Sequence, residues 1–237
     1  MCLVSFLPIN DGFILSSNRD ESPDRITDGL VEMKIGTEQV IFPRDRSGGS
    51  WIMVSDHLRA ICLLNGAFEN HKRKLPYRHS RGVVMKSFFE YEDAVAFFHQ
   101  YDLWNIEPFT MVIAEHHKLF ELRWDGHKKY ISDLDPAQCH IWSSATLYDM
   151  EAQEYRSRLL QSRLDDCENE DYKAIMEAHL HHNESDLWNG LVMNRVNIVK
   201  TISHTQVIKA NESIEISYTN LIQNTTERKA IFNNILL

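Results

Sequence analysis

Short apolar and β-branched runs recur along the chain in three blocks, and two helical blocks separate them. Alternation within these runs predicts strands. The predicted strands are 2–7, 12–17, 38–42, 51–55, 59–64, 109–114, 119–124, 129–131, 140–143, 196–208 and 213–219. Apolar residues at helical spacing predict helices in the intervening stretches. These are one or two helices within 80–101 with a break near Glu90, and single helices at 148–166 and 170–181.

The order of these blocks favours one fold class. Strands, helices, strands, helices and strands follow one another as segregated groups, which is typical of a layered α+β fold rather than a doubly wound parallel sheet. The first two strands form a hairpin, because the turn-rich interval from Pro8 to Gly12 separates them. With 237 residues and 43% hydrophobic content, the chain can bury one large core, so we predict a single domain over 1–237.

Charge bears on the choice of partner. The net charge is −9 and the basic residues are scattered, which argues against nucleic acid as the main partner. The densest basic stretch runs from His71 to Lys74, with Arg78 and Arg81 close behind. We favour a solvated loop there, and binding of an anionic substrate group is the alternative. The chain has neither a Gly-x-Gly-x-x-Gly motif nor a Walker loop, so the usual nucleotide sites are not predicted.

The cysteines and histidines form no metal or redox motif. The four cysteines, at positions 2, 62, 139 and 167, lack such spacing, and the twelve histidines include no His-Glu-x-x-His. We therefore predict no metal and no cofactor. No apolar run has the length of a membrane span, and Pro8 interrupts the N-terminus before a signal-peptide core. These features predict a cytoplasmic protein with reduced thiols.

Cys2 is the strongest chemical candidate. A small residue at position 2 permits removal of Met1, which would leave Cys2 with a free α-amino group. With an ordinary pKa of about 7.7–8.0, that amine can accept a proton from a thiol near neutral pH. In a two-stranded hairpin the second strand ends beside the start of the first, so Arg19 and Asp20 can approach Cys2. Arginine would favour the thiolate and aspartate would orient the amine, whereas the competing interpretation is a buried cysteine beside a structural ion pair.

Four stretches in the first third of the chain match the motifs of one family. Met1-Cys2 at the start of a hairpin, followed by Asn18-Arg19-Asp20-Glu21 and Arg25, resembles the NRDE family, also called the transport and Golgi organisation 2 family. Three further stretches agree with it, namely Gly48-Gly49-Ser50-Trp51, Leu64-Asn65 and Ser80-Arg81-Gly82. The rest of the chain agrees in length and in the order of its elements.

The resemblance carries implications for fold and activity. In its N-terminal half that family is similar to cysteine-dependent amidohydrolases such as penicillin V acylase and bile salt hydrolase. The resemblance implies an α+β, four-layer αββα sandwich of the N-terminal-nucleophile hydrolase type, which would hydrolyse a non-peptide C–N amide bond. Cys2 would then be the nucleophile with its α-amine as base, Arg19 would stabilise the thiolate, and Asp20 would orient the amine.

Further site residues are candidates on the same grounds. Asn65 would donate to the oxyanion of the reaction, a contribution that is typically worth a few kcal/mol. Arg195 corresponds to a late arginine that the hydrolases use, and the neighbouring Asn194 is the alternative. We also predict that Asn18, Trp51 and Asn194 bind the substrate, which would be a small-molecule amide.

One departure from the hydrolases supports a second hypothesis. Trp142-Ser143-Ser144-Ala145 stands where those enzymes have an asparagine, and Ser144 could replace that amide donor only in part. The alternative is a non-catalytic carrier of a hydrophobic ligand such as haem or an acyl-CoA. The resemblance implies these ligands, because animal members of the family are linked to haem trafficking and lipid metabolism. A purely structural role is a third hypothesis. The C-terminal segment 220–237 ends with the apolar residues 231–232 and 235–237. We expect this tail to dock on the body or on a second subunit, so a homo-oligomer is an open alternative.

Overall fold

Two antiparallel sheets form the centre of the protein. The computed structural model describes residues 2–167, 171–196 and 198–233, and of Cys2 it describes the backbone alone. The strands are β1 (Cys2–Ile9), β2 (Gly12–Glu21), β3 (Thr27–Ile35), β4 (Glu38–Asp45), β5 (Ile52–Ser55), β6 (Ala60–Asn65), β7 (Phe109–Glu115), β8 (Lys118–Trp124), β9 (Lys129–Leu134), β10 (His140–Ser143), β11 (Asn194–Arg195), β12 (Val199–Ala210), β13 (Ser213–Asn220) and β14 (Thr225–Phe232). The helices are α1 (Arg81–Phe88), α2 (Ala94–Gln100), α3 (Met150–Leu164) and α4 (Tyr172–His179).

The two sheets differ in topology. The N-terminal sheet has the strand order β10-β1-β2-β12-β13-β14, and the short β11 pairs with β12. The meander sheet follows the chain from β3 through β9 in sequence order. Since β1 and β2 lie in the interior of the N-terminal sheet, the start of the chain is paired on both sides. The predicted N-terminal hairpin is confirmed, with Ile9 opposite Gly12 at its turn.

Three apolar clusters separate four layers. Inward-facing residues such as Val4, Leu15 and Ile52 form a core between the sheets. The outer face of the meander sheet packs on α1 and α2, and the outer face of the N-terminal sheet packs on α3 and α4. The alternation of side chains along each strand supplies both faces from one sequence. The protein is therefore a four-layer αββα sandwich, and the predicted α+β fold class is confirmed.

Three strands were missed by the sequence pattern, namely β3, the two-residue β11 and β14. β3 contains Gly29 at a break in its pairing with β4, and only two of its residues, Gly29 and Leu30, are buried. β14 is an edge strand rich in exposed charged residues, so the binary pattern is weak there. The expectation that the C-terminal segment docks on the body is confirmed for 225–232, which pair with β13 as an edge strand, and Ile231 packs in the core between the sheets. Residues 234–237 lie outside the described part of the chain.

The helix starts differ in their capping. α2, α3 and α4 each begin after an aspartate whose side chain accepts a backbone N–H of the first turn, namely Asp93, Asp149 and Asp171. Such a cap satisfies a donor that a helix start otherwise leaves unpaired. Ser80 at the start of α1 makes no such side-chain bond. Within the described residues, every helix is too short or too polar to traverse a lipid bilayer.

Candidate functional site

β2 carries the predicted site residues into the middle of the fold. Arg19 lies directly opposite the backbone of Cys2 in β1 and opposite Ser203 in β12. Successive side chains of a strand point to opposite faces. Arg19 accordingly contacts the meander sheet, whereas Asn18 and Asp20 contact the helices and loops on the other side.

The guanidinium of Arg19 is held between the two sheets. It is 4% exposed, it forms an ion pair with Asp45 at the end of β4, and its Nη1 donates to Thr27 Oγ1 at 2.9 Å. Its Cζ lies 4.0 Å from the ring centroid of Trp51, which adds a cation–π contact. Two strands of the meander sheet, together with Trp51 just before β5, therefore fix the position of this charge.

Asp45 is the carboxylate that balances this arginine. It also accepts hydrogen bonds from Arg25 Nε at 3.0 Å and from the Ser47 hydroxyl at 2.6 Å. Burial alone would raise the pKa of Asp45, but the hydrogen bonds from Ser47, Arg25 and Arg19 outweigh it and hold the pKa well below the ordinary 3.8. Asp45 is therefore ionised at neutral pH.

Asp20 is fully buried and faces the helical layer. Its Oδ1 accepts the Thr201 hydroxyl at 2.6 Å, and its Oδ2 accepts Tyr148 Oη at 2.8 Å and Arg156 Nη2 at 3.2 Å. Burial, together with the charge of Asp20, raises the pKa of Tyr148 well above 10, so the phenol keeps the proton that it donates. A carboxylate offers about four acceptor positions, and the contacts of Asp20 with the described residues use three of them.

The side-chain amide of Asn18 holds parts of the fold together through hydrogen bonds. Its Nδ2 donates to the carbonyls of His179 and Leu191 at 2.8 and 3.0 Å, and its Oδ1 accepts from His204 Nδ1 at 2.8 Å. The ring of His179 in turn contacts Ser5 Oγ at 2.7 Å. These bonds tie the end of α4 to the N-terminal sheet. The structure therefore does not bring the side chain of Asn18 to the face that Arg19 occupies.

A cavity of about 570 Å³ lies beside Arg19. Its described lining includes three predicted site residues, Arg19, Trp51 and Asn65, together with Ser80-Arg81-Gly82 at the start of α1. Gly82 approaches Gly49 so closely that a Cβ on Gly82 would lie 2.9 Å from the Gly49 Cα. Two of the motifs that are far apart in sequence thus meet at this cavity.

The region of the expected second amide donor also adjoins the site. Ser144 is buried and donates to the backbone carbonyl of Asn65 at 2.9 Å. Gly66 has a φ of +82° and lies against the residues that follow Ser144. A Cβ on Gly66 would lie 3.2 Å from the Cβ of Ala145 and 2.9 Å from a methyl carbon of Thr146. Position 145 therefore borders the end of β6, and it carries no amide there.

Arg195 and Asn194 lie on β11, outside the described lining of the cavity. The guanidinium of Arg195 donates to the carbonyls of Trp188 and Leu147 and to Asn189 Oδ1, at 2.9–3.1 Å. It thereby anchors the loop before β11 to the chain that precedes α3. The structure separates this pair from Arg19, Trp51 and Asn65.

The fold has known relatives. An αββα sandwich with a cavity beside its second strand is similar to the fold of the N-terminal-nucleophile hydrolases, and this likeness concerns the fold alone. The chain belongs to the Transport and Golgi organisation 2 family, whose model matches residues 1–228.

Solved structures agree on the fold. Penicillin V acylase from Agrobacterium tumefaciens is similar with a TM-score of 0.60 and 8% identity, over 96% of this chain and 85% of that one. A mutant of conjugated bile acid hydrolase from Clostridium perfringens is similar with a TM-score of 0.55 and 8% identity, over 97% and 92%. A comparison with curated protein sequences finds no match.

Sequence reasoning missed several residues of the site. Asp45, Tyr148, Arg156 and Thr201 supply the partners of Arg19 and Asp20, and they lie 26 to 181 positions away along the chain. No local motif marks them. Buried charges are usually paired, so the sequence could have indicated that Arg19 and Asp20 have charged partners. It could not have indicated which residues those partners are.

The Arg156–Asp20 ion pair is expected to contribute strongly to stability. Arg156→Met should lower the free energy of unfolding by about 3–5 kcal/mol, because it leaves the Asp20 carboxylate buried without its ionic partner. Arg158→Met on the same helix is the matched control. Its side chain is 71% exposed and pairs with Glu154 on the surface, so its loss should cost less than about 1 kcal/mol. Chemical denaturation of both variants measures the difference, and equal losses would contradict the assignment.

Buried histidines are expected to make the stability depend on pH. Burial lowers the pKa of His204 from 6.5 to about 3, and it lowers that of His179 well below 6.5. Both rings stay neutral in the folded protein, while in the unfolded chain they bind protons as the pH falls through about 6.5. The unfolded state then binds more protons, so stability should fall between about pH 6.5 and 4, by up to about 1.4 kcal/mol per pH unit for each histidine.

Denaturation curves across this pH range test the effect. His204→Gln should give a shallower slope than the wild type, because one of the two proton-binding differences is removed. His182→Gln, at an exposed position, should leave the slope unchanged. The prediction fails if the two substitutions alter the slope equally.

Proposed function

We propose that the protein is an N-terminal-nucleophile hydrolase that cleaves a non-peptide C–N amide bond, with Cys2 as nucleophile after removal of Met1. The observation that carries the proposal is the register of β1 and β2. Cys2 lies directly opposite Arg19, and Arg19 lines the cavity. Directly opposed positions of an antiparallel pair belong to one face of the sheet, which supports a thiol and a guanidinium at the same cavity. The side chain of Cys2 lies outside the described residues.

The proposed reaction assigns each group a step. The α-amine takes the thiol proton, the thiolate attacks the amide carbon, and the Asn65 amide donates to the oxyanion. The C–N bond then breaks as the α-amine returns the proton to the leaving amine, which gives a thioester. A water molecule attacks the thioester, which releases the acid and restores the thiol. In this scheme Asp20 orients the α-amine through the acceptor position that its contacts with the described residues leave, and the charge of Arg19 favours the thiolate.

A carrier of a hydrophobic ligand such as haem is the second candidate. Ala145 favours it, because the position that borders the end of β6 offers no amide to an oxyanion. The lining of the cavity argues against a wholly apolar ligand, since arginines and carboxylates face it from several elements. We therefore rank hydrolysis first. The carrier would use the same cavity, so experiments on Cys2 separate the two.

The reactivity of Cys2 is the first test. Wild-type protein treated with 4-nitrophenyl acetate should release a burst of about one 4-nitrophenolate per chain, and intact mass should show the loss of Met1 and a single acetyl group. Cys2→Ala should lose the burst by at least about tenfold, because it retains the terminal amine but not the thiol. Cys139→Ala is the control. Burial raises the pKa of the Cys139 thiol to about 11, so its loss should leave the burst intact.

Two outcomes would overturn the hydrolase proposal. One is retention of Met1 in the native protein, because the catalytic α-amine would then be absent. The other is an equal burst from the wild type and from Cys2→Ala. Either result, combined with saturable spectral titration of the protein by haemin, would favour the carrier.

The role of Arg19 predicts a shift in the titration of Cys2. In a background that lacks Cys139 and Cys167, Arg19→Gln should raise the pH midpoint for alkylation of Cys2 by iodoacetamide by about 1–2 units, because a nearby cation is lost. Arg25→Gln removes another partner of Asp45 but not the residue opposite Cys2, so it should shift the midpoint less. Peptide mass spectrometry over a pH series measures both, and equal shifts would exclude the specific role of Arg19.

A further inference from the structure

The cavity beside Arg19 carries an excess of positive charge. Four arginines line it, at positions 19, 25, 73 and 81, against three carboxylates, at positions 21, 45 and 107. The chain as a whole has a net charge of −9, so this excess runs against the overall balance. An excess of positive charge in a cleft, even of one unit, favours ligands of the opposite sign.

Glu107, one carboxylate of that lining, lies near three basic side chains. Glu107 lies 3.1 Å from Arg73 Nε, 3.5 Å from Arg81 Nη2 and 3.4 Å from His71 Nε2. Among the described residues Glu107 is the carboxylate that forms ion pairs with both arginines, and Glu21 acts on Arg81 from farther away. Each guanidinium also has five donors, of which these contacts use few. The cluster therefore has charge and donors left for an anion.

Arg81 is the most enclosed member of this cluster. Its side chain is 18% exposed, and Nη1 donates to the carbonyl of Pro108 at 3.1 Å. Burial lowers the pKa of Arg81 and outweighs the carboxylates of Glu107 and Glu21, which raise it, while the charge of Arg73 lowers it further. The charged form of Arg81 is thus disfavoured by its surroundings. A second anion beside it would relieve that cost.

Neutral donors are available at the same cavity. Ser80, Arg81 and Gly82 line it at the start of α1, the helix that has neither a side-chain cap nor an acidic residue in its first turn. The positive end of a helix dipole favours anions. Independently, Trp51 is 6% exposed and lines the cavity, and its buried Nε1–H has no acceptor among the described residues. A buried donor of this kind calls for a partner.

We propose that this cavity recognises an anionic group, a carboxylate or a phosphate, through Arg73, Arg81 and the Trp51 indole N–H. The assignment of that anion to the scissile amide rests on the proposed hydrolase function. The substrate class is then an acylated amine, or an amide of similar size, that carries a negative charge on one side of the C–N bond. The loop between β6 and α1, which contributes Arg73, selects the substrate.

Binding is measured first without turnover. Cys2→Ala protein is titrated calorimetrically at constant ionic strength with three probes, namely N-hexanoylglycine, O-phospho-N-hexanoylethanolamine and the neutral N-hexanoylglycinamide. At least one anionic probe should bind about tenfold more tightly than the neutral one, because charge-assisted hydrogen bonds are added. The preference between the two anionic probes identifies the anion as carboxylate or phosphate.

Substitutions in the cluster should change this affinity in opposite directions. Arg73→Gln and Arg81→Gln should each weaken binding of the preferred anionic probe by about tenfold and leave the neutral probe unchanged. Glu107→Gln should strengthen it, because a competing carboxylate is lost. Arg78→Gln is the control in the same loop, since Arg78 pairs with Asp102 and lies outside the described lining. Arg73 is 64% exposed, so its variant tests the site even if Arg81→Gln fails to fold.

The results separate this inference from the hydrolase proposal. Equal affinity for charged and neutral probes, no binding of either anionic probe, or an Arg73 effect no larger than that of Arg78, would overturn the anion site. Anion-dependent binding without cleavage by the wild type would uphold the site and count against the hydrolase. If the wild type cleaved the neutral amide as fast as the anionic ones, the result would support the hydrolase and count against the anion site.

Discussion

Two opposite charges, Arg19 and Asp20, are adjacent on a buried strand and cannot neutralise each other. Alternation along β2 sends them to opposite faces of the N-terminal sheet. Each buried charge therefore requires a partner from a different layer, because an unpaired charge in the interior costs several kcal/mol. Arg19 pairs with Asp45 of the meander sheet, and Asp20 pairs with Arg156 of α3. This constraint connects three of the four layers through one strand.

The same constraint shapes the candidate site. Because Arg19 is fixed by Asp45, Thr27 and the ring of Trp51, its charge keeps one position relative to the backbone of Cys2. Arg25 and Ser47 share the carboxylate of Asp45, so that carboxylate does not depend on Arg19 alone. A preorganised cation of this kind needs little rearrangement to stabilise developing negative charge.

The sequence predicted the fold better than the partners within it. Alternating runs located the N-terminal hairpin and most strands, because burial of one face leaves a pattern of period two. The edge strand β14 was not predicted, because most of its side chains are exposed and it need not alternate between apolar and polar residues. The motif residues Arg19, Trp51 and Asn65 do meet at one cavity, but Asp45 and Arg156 were not predicted, because pairing across layers leaves no trace in local spacing. Successive side chains of a strand point to opposite faces, so the sequence alone could have placed Asn18 and Arg19 on different faces of the sheet.

Similarity at 8% identity establishes the fold and leaves the substrate open. The structure gives a physical reason why the fold can be kept while the substrate changes. The groups that hold Arg19 and Asp20 come from the sheets, α3 and the chain just before it, and changing them breaks buried ion pairs. Arg73 lies in the loop between β6 and α1, and it contacts Glu107 rather than Asp45. A substitution there alters the charge of the cavity without disturbing the buried pairs, so selectivity for a charged substrate can change while the centre around Arg19 is preserved.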